Sequence, residues 1–286
     1  MRKKILTMSL VVAIVLSFSA CGEETEEEVE LPPAQEIVDG AVESFDNIST
    51  YQFEMDMTMY TTGEAVGEAI EHTVTMVNSG TLDLENQQMK TDLSMDAGDE
   101  MMRVESYIID GMVYAKPEAP GEEPGWIKSE APEEYWEMMT AVSGIKNYIE
   151  LLKTAQVKVI GSEQVNGVDC YILQLTPEMA ELYQTAMNPV GGVGQAGMLA
   201  PVPEELLEDM FRSFSVKEWV AKDTYLLMKA EIDMAIETTP EFKDYLGEEV
   251  DVSIDVTISF LAYNYNQPIT IVVPEEALEA SEMPAE

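Results

Sequence analysis

Cysteine is scarce in this chain: Cys21 and Cys170 are the only two among 286 residues. Histidine is scarcer still, with His72 alone. A Ser-His-Asp hydrolase would have to use that one imidazole, yet it sits between Glu71 and Thr73 in an alternating stretch and no GxSxG elbow accompanies it. A solvated strand histidine is the simpler reading. Basic residues are few, 15 Lys and Arg against 55 Asp and Glu, for a net charge of −40. Such a surface repels nucleic acid and anionic lipid headgroups. With carboxylates this abundant, no pair of them marks glycosidase chemistry. The glycine-rich "GGVGQAG" has no Lys-Ser/Thr after it and fails as a phosphate loop. No catalytic residue, metal site or cofactor site emerges, so the chain is read as a non-enzyme. Long apolar runs are missing too: "ILTMSLVVAIVL", residues 5–16, falls short of the about 20 residues a membrane span needs.

That apolar run nevertheless has the layout of an export leader. Arg2, Lys3 and Lys4 precede it, and the small residues Ser19 and Ala20 follow. Phe18-Ser19-Ala20-Cys21 resembles the lipobox of bacterial lipoprotein precursors, with Phe18 where Leu is commoner. The resemblance implies a signal peptide over residues 1–20, removed in front of Cys21, and a diacylglyceryl group on the Cys21 thiol. Two acyl chains anchor stably where one is marginal. The expected location is therefore the extracytoplasmic face of a cell membrane, lipid-anchored. Cys170 is then alone, and without an internal disulfide the domain must be held by its core. Removing the leader's three basic residues from 15 leaves 12 against 55 acidic ones, a net of −43. An apolar content of 46% argues against disorder despite that charge.

Residues 21–33 carry six Glu within 22–30 and then Pro32-Pro33. Self-repulsion and polyproline stiffness extend such a segment into a tether. Folded structure is expected from Ala34 to residue 275, with 276–286 as an acidic tail. "QEIVDGAVESFDNIST" spaces Ile37, Ala41, Phe45 and Ile48 for an amphipathic helix.

Beyond Ser49 the dominant pattern is two-residue alternation. In "TYQFEMDMTMYT" Phe53, Met55, Met57 and Met59 share a side against Glu54, Asp56 and Thr58. Val74 and Met76 belong to a stretch that slips phase near Ser79-Gly80, read as a bend or bulge. Met89, Leu93 and Met95 alternate with charged residues, as do Met102, Val104 and Ile108, before a turn at Asp110-Gly111. "PEEYWEMMTAV", "KNYIELLKTA", "PEMAELYQTAM" and "PEELLEDMF" read as short helices, two of them opened by Pro132 and Pro177. Asn166-Gly167 marks a hairpin, and residues 188–203 read as a loop that could act as a flap. A second hairpin turns at Lys222-Asp223, its return arm placing Leu226, Met228, Ala230, Ile232, Met234 and Ile236 on one face. The last strand aligns Val250, Val252, Ile254, Val256, Ile258 and Phe260.

Strands that are apolar on one side and acidic on the other predict one antiparallel sheet with a wet and a dry face. The expected class is α+β: a strongly curved antiparallel sheet, an open half-barrel, wrapping a few short helices. The order of elements resembles the LolA-like lipoprotein-carrier fold, and in particular LppX/LprG-type lipoproteins. The resemblance rests on "SYIIDGMVYAK" with "GWIK", on "VNGVDCYILQLTP", on "EWVAKDTYLLMKAEI" and on "AYNYNQPITIVVPEEA", spanning about residues 35–277. It implies an apolar cavity between sheet and helices, able to hold acyl chains, and no cofactor.

Alternation alone selects the expected lining: Phe53, Met55, Met57, Val74, Met76, Leu93, Met95, Val104, Ile108, Met228, Ile232, Met234, Ile254 and Ile258. Methionine, 20 residues in all, suits a surface that accepts variable apolar partners. Ordinary core filling would give the same rows. The thioethers of "MDMTM" could suit Cu(I), but no histidine or cysteine joins them on that face. The expected function is a monomeric, membrane-anchored binder or carrier of lipid or another hydrophobic molecule. The alternative is a surface scaffold or signalling lipoprotein with a solid core, engaging proteins through its acidic face.

Overall fold

Alternation at period two builds almost the whole molecule. The structure, a computed structural model, describes residues 31–282 apart from 66, 99, 122, 133–134, 137–138, 141–144, 178–205, 207–208 and 247–249. The leader, Cys21, most of the tether, the 188–203 loop and the "PEMAELYQTAM" helix lie outside the described residues.

Helix α1 (Ala34–Phe45) opens the described chain. Six strands follow: β1 (Thr50–Ala65), β2 (Glu68–Asp83), β3 (Gln88–Asp96), β4 (Met101–Ile109), β5 (Met112–Glu118) and β6 (Ile127–Glu130). Then come α2 (Ile145–Thr154), β7 (Gln156–Val165), β8 (Val168–Thr176), β9 (Phe211–Ala221), β10 (Leu227–Glu237), α3 (Pro240–Leu246), β11 (Val250–Tyr263), α4 (Glu275–Leu278) and β12 (Ser281–Glu282). All twelve strands form one curved, unclosed sheet in the order β12-β6-β5-β4-β3-β2-β1-β11-β10-β9-β8-β7. Every pairing is antiparallel except β12 on β6. The expected α+β class, with an open antiparallel sheet and short helices, is the observed one.

Local chemistry sets the turns. Asp110-Gly111 has φ of 51° and 72°, and Asn166-Gly167 has 51° and 81°. Positive φ at both central residues is the type I′ geometry that matches strand twist. Helix α3 starts with Thr239, whose Oγ1 accepts a hydrogen bond from the Phe242 amide at 3.2 Å, and with Pro240 as first helical residue.

Helices α1 and α2 cover one face of the sheet, its inner face. Ile37, Val38 and Ala41 of α1 and Ile145, Tyr148, Ile149 and Leu152 of α2 join Phe53, Leu82, Met89, Leu173, Val216 and Phe260 in one buried cluster. Phe53 and Phe260 stack at 6.1 Å, and Tyr148 meets Phe260 at 5.0 Å. Each such aromatic pair adds about 0.5–1.5 kcal/mol beyond its buried area.

Four details differ from the alternation pattern. First, no bulge lies near Ser79-Gly80: β2 pairs without interruption with β1 and β3. The apparent slip arises because Asn78 and Gly80 occupy inner positions where apolar residues are expected. Gly80 is required there, since a Cβ would lie 2.5 Å from the Phe53 ring and 2.8 Å from the Lys90 carbonyl oxygen. Because the backbone oxygen cannot yield, Gly80→Ala should cost about 1–3 kcal/mol, read as a lowered urea midpoint at unchanged m-value.

Second, a register shift between Leu227 and Lys229 turns Leu227 inward and Met228 outward. Third, the outer face is not uniformly wet. Ile271, Val273 and Ala277 cover Tyr107 and Tyr114 there, and Met228, Cys170, Trp219, Val165 and Ala221 form a further outer cluster. Fourth, residues 276–282 do not trail as a free tail. Ala277 is fully buried, and β12 pairs with β6.

Candidate functional site

Register places the expected lining residues on successive rungs across the sheet. One rung reads Met102, Met95, Met76, Met57, Ile258, Ile232, Val216, Leu175 and Val157, from β4 to β7. Four adjacent strands thus present methionine side by side. The next rung toward the covered end reads Val104, Leu93, Asn78, Met55, Phe260, Ala230, Glu218, Leu173 and Val159. Beyond it, Phe53, Leu82, Met89, Ile108 and Leu227 are all buried.

Burial therefore divides the inner face. Under α1 and α2 the side chains are close-packed, and Phe53, Phe260, Leu82, Met89 and Leu152 are under 2% exposed. Toward the other end, Met57, Met59, Val74, Met76, Leu93, Met95, Met102, Val104, Ile232, Met234, Ile254 and Ile258 are only half-buried. Thirteen of the fourteen expected residues share this inner face; Phe53 and Ile108 belong to its packed part and the rest lie on or beyond the boundary rung. The fourteenth, Met228, is corrected to the outer cluster, because the β10 bulge reverses its side. The described helices α1 and α2 pack on one end of this face, and the side chains of the methionine end are half-buried.

Alternation also points to residues that the expected lining omits. Met59 and Met102 stand in the same open set. Glu218 and Asn78 escape a search for apolar rows because both are polar, although each falls in the apolar phase of its strand, Glu218 between Val216 and Val220. Glu218 is fully buried, and neither carboxyl oxygen has a hydrogen-bond partner. Burial pushes its carboxyl well above the ordinary glutamate range. Asn78 Oδ1 is likewise buried without a partner. Next to Asn78, Thr91 Oγ1 and Ser106 Oγ satisfy each other at 2.6 Å.

Positive charge is kept off this face. Lys90, Arg103, Lys116, Lys128, Lys158, Lys217 and Lys229 all fall in the outer phase of their strands. Arg212, in the bulge where β9 meets β10, turns to Glu237 and Asp255. Among the described residues, no group of three or more His, Cys, Asp or Glu is placed to hold a metal, and no helix is long and apolar enough to cross a membrane. His72 is exposed, opposite Thr61. The buried Cys170 thiol is pushed up, chiefly by desolvation, and belongs to the outer cluster. A separate open groove of about 500 Å³ lies along α1, between Val38, Val42, Asp39, Glu43 and Lys153. It borders none of the fourteen expected residues.

Solved structures with a similar layout include LprF from Mycobacterium bovis, at 10% identity and a TM-score of 0.48 over 84% of this chain and 96% of that one. The lipoprotein LppX from Mycobacterium tuberculosis is 11% identical, with a TM-score of 0.37 over 84% and 98%. A putative outer membrane lipoprotein-sorting protein domain from Vibrio parahaemolyticus is 10% identical, with a TM-score of 0.23 over 83% and 95%. At such identities and TM-scores none of them assigns a role or a ligand here. No curated protein matches the chain. The family model DUF6612, a family of unknown function, matches residues 33–282, and the chain belongs to that family.

Proposed function

We propose that this protein is a non-enzymatic binder or carrier of lipid or another hydrophobic molecule, held to the extracytoplasmic face of a membrane through Cys21. The observation that carries the reading is the half-buried methionine end of the inner face, continuous across β4, β3, β2, β1, β11 and β10. A contiguous apolar surface that is not fully buried fits a binding site. Flexible thioethers let it repack around acyl chains of differing shape. The packed end supplies the rigid wall against which a ligand is held.

Two measurements test this. The chain with Cys21→Ala, purified from its own host, should release a co-purified lipid on organic extraction. It should also take up the fluorescent probe 1-N-phenylnaphthylamine. Introducing Met57→Asp with Met76→Asp should weaken probe binding at least tenfold while the unfolding midpoint changes little, because these side chains are already half-exposed. Neither lipid nor probe uptake would sink the carrier reading and favour a solid scaffold.

A further inference from the structure

Four methionines of the inner face meet one another in direct register. Met57 on β1 is paired with Met76 on β2, Met76 with Met95 on β3, and Met95 with Met102 on β4. Side chains directly opposed across antiparallel strands have Cβ atoms about 4.5–5.5 Å apart, and methionine carries its sulfur on a flexible, unbranched chain. The sulfur of a middle residue, Met76 or Met95, and those of its two neighbours can therefore converge on one point. All four side chains are half-buried and lie outside the packed cluster. Methionines alternating along one strand, as in "MDMTM", stand about 7 Å apart. The row across strands is the closer set of donors.

The composition of the rung singles out the sulfur. Its other half, on β11, β10, β9, β8 and β7, reads Ile258, Ile232, Val216, Leu175 and Val157, branched aliphatics throughout. Both halves are greasy, and what sets the first apart is the thioether. Thioethers are soft, neutral donors that suit Cu(I), whereas hard cations prefer carboxylate and carbonyl oxygen. The lysines and arginines of these strands fall in the outer phase, and a net charge of −40 draws cations toward the protein. His72 shares the inner phase of β2 with Met76, which corrects the expectation that no histidine stands on this face. It is exposed and about 14 Å along the strand from Met76, too far to share an ion with the row.

We propose that Met57, Met76, Met95 and Met102 form a soft-metal site, in which three adjacent thioethers bind one Cu(I) ion without changing its oxidation state. The site goes beyond the carrier reading and does not depend on it. The probe is Cu(I) itself, supplied without oxygen as its acetonitrile complex and titrated calorimetrically into the Cys21→Ala chain at pH 7. Sodium sulfate at about 0.5 M ionic strength screens loose attraction of the ion to the acidic surface.

The Cys21→Ala chain should take up Cu(I) at a single saturable site, with sulfur alone around the copper in its X-ray absorption spectrum. Met57→Leu, Met76→Leu and Met95→Leu together keep the bulk and greasiness of the row, since leucine and methionine exchange with little change in volume. That triple variant should bind Cu(I) at least tenfold more weakly, while its urea midpoint and its uptake of 1-N-phenylnaphthylamine stay nearly unchanged. Should it lose uptake of that probe as well, the absorption spectrum of the parent chain decides. Cys170→Ala and His72→Ala should each leave Cu(I) affinity within threefold, because Cys170 belongs to the outer cluster and His72 stands two rungs away. No saturable uptake, nitrogen or oxygen bound to the copper, affinity that survives the triple substitution, or affinity lost with Cys170 or His72 overturns the metal site and leaves the carrier reading standing. Uptake of Cu(I) as expected, with no binding of 1-N-phenylnaphthylamine, removes the carrier reading and leaves the metal site.

Discussion

Glu218→Gln should make the protein more stable at neutral pH, by an increment that grows as pH rises. Burial raises the proton affinity of the glutamate in the folded state, whereas in the unfolded chain it ionises near pH 4.3. Below that pH both states hold the proton, and folding is indifferent to it. Above it the unfolded chain releases a proton that the folded chain retains. Wild-type stability therefore falls by about 1.4 kcal/mol per pH unit until the folded-state carboxyl itself ionises. The amide variant lacks this dependence. Its lead should be close to zero near pH 4 and widen as pH rises, until the folded-state carboxyl ionises. The other carboxylates are common to both proteins and cancel in the difference. Among the described residues, Tyr148 of α2 is set against Glu218, itself pushed up mainly by burial and secondarily by Glu218. Urea unfolding of the two proteins from pH 4 to 8 provides the check, and parallel stability curves would show that Glu218 ionises normally.

The second large effect separates the two ends of the inner face. Phe260→Ala removes a fully buried ring that contacts Phe53 at 6.1 Å and Tyr148 at 5.0 Å. Its loss should cost about 3–5 kcal/mol, the range for emptying a packed aromatic site. Met57→Ala, one rung outward on the adjacent strand, should cost about 1 kcal/mol or less, because its side chain is half in solvent already. Thermal or urea unfolding of both variants measures the contrast. Equal costs would mean that the methionine end is packed as tightly as the helix-covered end, which would count against a ligand site there.

Much of this architecture is legible because strand alternation is a strong signal wherever one face is dry. The type I′ turns at Asp110-Gly111 and Asn166-Gly167 are readable from their residues alone, as is helix α1 from Ile37 and Ala41. The pattern misleads where a single residue breaks the rule for a packing reason. Gly80 makes room for the Phe53 ring and so imitates a phase change. The bulge at Leu227–Lys229 reverses Met228 with no mark in the sequence. Helix α3 is absent from the expected elements although Thr239-Pro240-Glu241 is a sound start signal, and its Phe242 packs on Met210. The C-terminal segment reads as tail because its glutamates outweigh Ile271, Val273 and Ala277, which hold it to the outer face. Glu218 is hidden for the opposite reason: in a chain with 55 acidic residues one more attracts no attention, and only burial distinguishes it.

The middle of the sheet carries a consequence for how the chain comes together. Strands β1 and β11 meet there over fourteen paired positions, Met55 facing Phe260. These partners are 205 residues apart in the sequence, so the central seam closes only after nearly the entire polypeptide is available. Contacts this distant make for slow assembly, and until the seam forms, two long half-greasy ribbons remain without their mates. Until then the dense negative charge keeps the waiting halves apart from those of neighbouring chains.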